Sequence, residues 1–324
     1  MIFRILTPFL LLAQLSLTAI ELPSVSMSSE AMVYLEEAIG FMEKNSVKRG
    51  QIDWNHFRRQ VHERAKGAIT PAQTYGAIQY GISLLGDRHS FFLSASQIAS
   101  LFEGVDSSIN GIRGELIGSQ IGYVSLSRYI SQSEEARRAY ANKVQDIIRG
   151  LDEGGLQRWI VDLRSNSGGN MWPMIVGIGP LLGDGHAGAF TFEKSFELKW
   201  YYEKGAARAG EEIGCSIDPY YQLKDSSPYV AILIGPSTAS SGEAVAISFS
   251  GMDRARTFGQ PTMGLTTANH YFRLPDGAGL LIAASYFSDR LGQVYNEGVT
   301  PQTLAFGSDD IAMKSAIEWL LAQP

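Results

Sequence analysis

One cysteine, Cys215, occurs in 324 residues. An internal disulfide is excluded, so stability must come from the core. With no histidine beside it in sequence, Cys215 reads as a small buried apolar residue and not as a nucleophile. Charged residues make up only 19% of the chain, and no basic block lies behind the formal charge of −6. Nucleic acid is therefore not an expected partner. His186 and His270 stand alone without ligand spacing, so no metal site is expected. Neither a phosphate loop nor a dinucleotide fingerprint occurs, and no cofactor is expected. Beyond the first residues no apolar run reaches 18 uninterrupted positions, which excludes a spanning helix from the mature chain.

What is present begins with a short apolar leader. Residues 1–19 carry one charge, Arg4, then the largely apolar run Ile5 to Leu17, then Ala19 as a small residue before a cut. This is the pattern of a signal peptide. It predicts a periplasmic or secreted protein, soluble after cleavage. Without Arg4, 26 basic residues face 33 acidic ones. An uncleaved N-terminal anchor is the alternative.

The length allows one to three domains. Residues 20–95 read as a small N-terminal helical domain. Ser28 opens a helix with Met32, Leu35, Ile39 and Met42 at helical spacing, and Asp53 caps the next, with Trp54, Phe57 and Val61. Thr70-Pro71 starts a third. Residues 110–324 alternate strand-like and helix-like runs, which implies an α/β fold with a mostly parallel, covered sheet. Its apolar strands are Trp159 to Leu163 and Tyr229 to Ile234. The stretch 187–227 interrupts the alternation and reads as an inserted hairpin and loop.

Three segments carry candidate chemistry. Pro236 to Glu243 joins the Tyr229 strand to a following helix. A serine at such a turn lies beside the free N–H groups of a helix start, which can stabilise an oxyanion. Capping of the helix by Ser240 or Ser241 is the plainer reading. Asp162 to Asn170 ends the Trp159 strand with Gly168-Gly169, whose backbone N–H groups a ligand can reach. A simple Asx turn at Asn166 is the alternative. Asp87-Arg88-His89-Ser90-Phe91 closes the helical region. A base there needs a neutral imidazole held in one orientation, and Asp87 or Ser90 can supply the orienting hydrogen bond.

Taken with Gly259 to Gly264 and Gly298 to Pro301, these segments stand in one order across roughly residues 80 to 305. The set resembles the S41 family of serine peptidases, the C-terminal processing and tricorn-type proteases. That resemblance implies a crotonase-like β/α core, with Ser240 as nucleophile on a polypeptide substrate. It departs from the processing branch at Leu265, where that branch has its lysine base. The tricorn-like branch uses His and Glu with Ser; it implies His89 as general base and Glu297 as the acid. Ser241 with Gly168 or Gly169 would form the oxyanion hole, with Ser90 orienting. About 20 residues separate Phe92 from Ile112, too few for a PDZ domain. The second hypothesis is a non-catalytic module on the same fold, because retinoid-binding proteins of photoreceptor matrix resemble this core. It would bind peptide or an apolar ligand, with Trp200, Tyr201, Tyr202, Tyr220 and Tyr221 lining the pocket.

Overall fold

The computed structural model describes residues 26–103, 108–131, 133–192 and 196–324. The leader read from residues 1–19 lies outside them. Among the described residues no helix is long and apolar enough to cross a membrane.

The chain opens with α1 (Ser29–Asn45), α2 (Trp54–Arg64) and α3 (Tyr75–Leu84). Ser28 and Asp53 cap the first two, accepting from Ala31 N and His56 N. A 3-10 turn at Pro71–Thr74 leads into α3. Then follow β1 (Phe91–Leu93) and α4 (Ala95–Glu103), a helix that the sequence pattern had not suggested. The next elements are β2 (Arg113–Ile117), β3 (Ile121–Ser125), α5 (Glu134–Leu151), β4 (Arg158–Asp162) and α6 (Met171–Leu182). The antiparallel run β5 (Gly185–Phe192), β6 (Phe196–Glu203), β7 (Ala206–Ala209) and β8 (Glu212–Ser216) occupies most of the 187–227 stretch. After it come β9 (Tyr229–Ile234), α7 (Ser241–Ser248), β10 (Ala255–Gly259), β11 (Thr267–Arg273), β12 (Gly279–Ser288), β13 (Val294–Tyr295), β14 (Thr303–Leu304) and α8 (Asp309–Leu321).

Two sheets form a mixed α/β fold. In the six-stranded sheet the order is β14-β10-β9-β4-β3-β2, all parallel except β2. The middles of its central strands, Trp159 to Val161 and Val230 to Ile234, are apolar because both faces are covered. Trp159, Val161, Val230, Ile232 and Ile234 face a core shared with α5, α6 and α7. The alternate residues Ile160, Ala231 and Leu233 face Ala312, Ala316 and Leu320 of α8. The eight-stranded sheet centres on β12, which pairs with β1, β5, β11 and β13. Helices α1 to α3 bury Leu35, Ile39, Phe57 and Ile78 against Leu280 and Ile282 of β12.

Three of the five aromatic residues expected to line a ligand pocket are committed elsewhere. Trp200 and Tyr202 are buried in the main core. A Cβ at Gly188 would stand 2.3 Å from the Trp200 ring, and one at Gly179 2.0 Å from the Tyr202 ring, so packing is close on both. The Tyr221 hydroxyl donates to the buried Asp152 carboxylate at 2.9 Å. Cys215 is buried too, and burial pushes its thiol up to about 11.

Candidate active site

Strands β4, β9 and β10 are parallel neighbours, so the loops that leave their C-terminal ends open on one side of the sheet. Those loops are 163–170, 235–240 and 260–266. The first and second meet where Ala239 N donates to Asn166 O at 3.0 Å. The second and third meet where Met263 N donates to Thr238 O at 2.9 Å.

Ser240 sits at the mouth of this side, immediately before α7. Its backbone has φ 52° and ψ −116°, a conformation that side chains rarely adopt. Such strain persists only where the surroundings over-determine it. Here Ser240 N donates to Glu243 Oε2 at 2.6 Å, and Ala244 N donates to Ser240 O at 3.0 Å. Ser240 is thus a strained, half-buried serine on a strand-to-helix turn.

Glu243 is fully buried and anchors the turn. Besides Ser240 N it accepts from Thr262 Oγ1 at 2.5 Å, Gly264 N at 2.9 Å and Leu265 N at 2.9 Å. Burial pushes its carboxyl up and the four donors pull it back, with burial the larger effect. Leu265 thus contributes its amide to the site and no proton-accepting side chain. Glu243→Gln must turn an amide NH2 towards two of these donors. Each donor left unmet costs about 1–3 kcal/mol. We expect a clear fall in thermal midpoint on calorimetry, whereas Glu297→Gln, an exposed position, leaves it unchanged.

Gly168 and Gly169 take φ 93° and 119°. A Cβ at Gly168 would lie 2.8 Å from Ser240 Cβ and 3.1 Å from Ser241 N. At Gly169 it would lie 1.8 Å from Tyr129 O. Gly168 N already donates to Asn166 Oδ1 at 2.9 Å. Among the described residues the amides of Gly169 and Ser241 have no acceptor, and Ser241 Oγ donates to Gly169 O at 2.6 Å.

His89 reaches the same region from the turn between α3 and β1. Its Nδ1 lies 2.7 Å from Thr267 Oγ1, and Asn269 Nδ2 donates to His89 O at 2.9 Å. Arg88 Nη2 donates to Met263 O at 3.1 Å, which ties the turn to the third loop. Burial pushes the imidazole down to about 4, against the opposing charge of Asp87. Among the described residues no hydrogen bond joins His89 directly to Ser240; they are linked through Thr267, Leu265 N and Glu243.

Two expected residues are placed differently from their assigned roles. Ser90 Oγ donates to Asp87 Oδ2 at 2.8 Å and accepts from Ala283 N at 2.9 Å, so it fixes the turn on β12 and not the imidazole. The Asp87 carboxylate likewise accepts from His89 N and Ser90 N. Glu297 is exposed. Its main chain approaches the third loop, with its carbonyl 3.0 Å from where a Gly264 Cβ would be, and its carboxylate bonds nothing at the site. Residue-by-residue reading missed Thr267 and Asn269, while the Asx bond considered at Asn166 is present, from Gly168 N. The Ser-x-x-Glu spacing of a capping box was the visible signal for Glu243.

The profile of peptidase family S41 matches residues 120–304, which spans all three loops. The chain belongs to this family of serine peptidases. It is 27% identical over 291 residues to the nisin-resistance protein of Lactococcus lactis subsp. lactis, covering 90% of this chain and 87% of that protein. It is also 27% identical over 210 residues to the chloroplastic carboxyl-terminal-processing peptidase 2 of Arabidopsis thaliana, but spans only 35% of that protein's length. Among solved structures, a lipoprotein from Streptococcus agalactiae superposes with a TM-score of 0.75 at 22% identity, over 98% of this chain and 99% of that one. At that identity the likeness speaks for the fold alone.

Proposed function

We propose that this S41 peptidase is an exported endopeptidase, on a crotonase-like β/α core, with Ser240 as nucleophile and His89 as general base. The strained Ser240 backbone, held by Glu243 beside two unbonded amides, is the observation that carries the reading. Ser240 Oγ attacks the peptide carbonyl carbon and its proton passes to His89 Nε2. The carbonyl oxygen, now negative, accepts from Ser241 N and Gly169 N. His89 then returns the proton to the leaving amine, and water repeats the sequence on the acyl-enzyme. Gly168 serves by its shape, since its amide is spent on Asn166. Glu297 has no part in this scheme, and export rests on residues 1–19. A fluorophosphonate probe followed by peptide mapping tests the assignment. The label is expected on Ser240; a label of equal strength in Ser240→Ala would place the nucleophile elsewhere.

A second reading is favoured by the near full-length likeness to nisin-resistance protein. In it, the peptidase acts on nisin or a similar peptide and gives resistance to it. Sensitive cells producing the chain would then survive nisin, and cells producing Ser240→Ala would not.

A further inference from the structure

Every carboxylate near His89 is occupied away from its ring. Asp87 Oδ1 accepts the amides of His89 and Ser90, and Asp87 Oδ2 accepts Ser90 Oγ. Glu243 holds four donors of the second and third loops. Glu297 points to solvent. The group that does meet the imidazole is neutral. Thr267, the first residue of β11, places its hydroxyl 2.7 Å from Nδ1 and is itself buried. Two residues along the same strand, Asn269 holds the His89 carbonyl. One strand therefore grips both the ring and the main chain of the base.

We propose that Thr267 is the positioning residue of His89: its hydroxyl accepts the Nδ1 proton and so keeps the Nε2 lone pair free for proton transfer. This rests on His89 being the base. In a Ser-His-acid triad a buried carboxylate performs this task and also stabilises the imidazolium. A hydroxyl fixes tautomer and orientation but supplies no compensating charge. The charged group acting on His89 is Asp87, whose oxygens are spent on the turn; the guanidinium of the adjacent Arg88 bonds Met263 O. The ring consequently stays neutral over a wide acidic range. The base is weaker than one paired with a carboxylate, and it remains usable at lower pH.

The test compares Thr267→Val, Thr267→Ser and Thr267→Asp with the parent. The chain has five histidines, so 15N-labelled imidazoles are resolvable, and the His89 signals are those lost in His89→Gln. The parent is expected to show the Nδ1–H tautomer. Val, which keeps the shape and the Thr267 main-chain contact but removes the hydroxyl acceptor, should lower that population and reduce kcat about 100-fold with KM nearly unchanged. Ser should restore both. Asp should raise the imidazole midpoint by more than one pH unit. An unchanged tautomer in the Val variant would overturn the proposal, as would a loss of kcat that Ser fails to recover. The spectrum needs no turnover. A tautomer that responds in a protein without peptidase activity keeps the positioning role and removes the peptidase reading; an active protein whose tautomer ignores Thr267 does the reverse.

Discussion

Ser240→Ala is expected to lower kcat/KM on a peptide substrate by about 10⁴- to 10⁶-fold, the usual loss when one member of a nucleophile-base unit is removed. Its thermal midpoint should stay near that of the parent, because alanine inherits the same backbone. Ser240→Gly should be equally inactive and more stable. The φ of 52° and ψ of −116° cost a residue with a Cβ about 1–3 kcal/mol, and glycine escapes most of it. The strain is held by donors and acceptors outside residue 240: Ser240 N on Glu243, Ala239 N on Asn166 O, Ala244 N on Ser240 O. A gain in stability with a loss of turnover is the signature of a site that spends stability on geometry. Calorimetry beside steady-state kinetics measures both. Retention of more than about 1% of parent activity in Ser240→Ala would exceed what an oxyanion hole alone sustains and would remove Ser240 from the mechanism.

What could be read from sequence follows from how far each interaction reaches along the chain. Trp159 to Val161 and Tyr229 to Ile234 are continuously apolar, the mark of strands covered on both faces. The Ser240 turn and the Gly168-Gly169 turn are local, and their small residues mark where main chains approach within contact. The imidazole's partner was not legible. Thr267 is 178 positions from His89, and it arrives there only through the β11–β12 register, which shifts between Ala268 and Asn269. The exposure of Glu297 was not legible for the converse reason. The Gly298 segment does approach the site, but a Cβ at Gly298 would stand 2.9 Å from Thr262 Oγ1, so it is the main chain that packs inward while the neighbouring carboxylate turns out. Glu243 was in plain view at capping spacing, yet three of its four donors lie 19 to 22 residues further on.

His89→Ala should abolish turnover to a similar degree, and the pH profile of the parent should show why. A neighbouring carboxylate would raise the His89 midpoint and burial would lower it. In the fold burial prevails, and the imidazole titrates at about 4 instead of 6.5. A general base works in its neutral form, so kcat/KM is expected to rise through about pH 4 and to be level by pH 5 to 6. At pH 5 such a ring is about 90% neutral, against about 3% at an ordinary histidine value. The same depression bears on folding. A histidine whose folded value lies below its unfolded one contributes stability that is whole above pH 6.5 and is lost as the pH falls towards 4. His89→Ala should therefore lose less stability than the parent between those limits, a comparison open to urea unfolding at pH 7 and pH 4.5. An acid limb centred near 6.5 in the parent would mean that a carboxylate reaches the ring during turnover. Near-parent hydrolysis by His89→Ala would end the case for a histidine base, even with Ser240 established as the nucleophile.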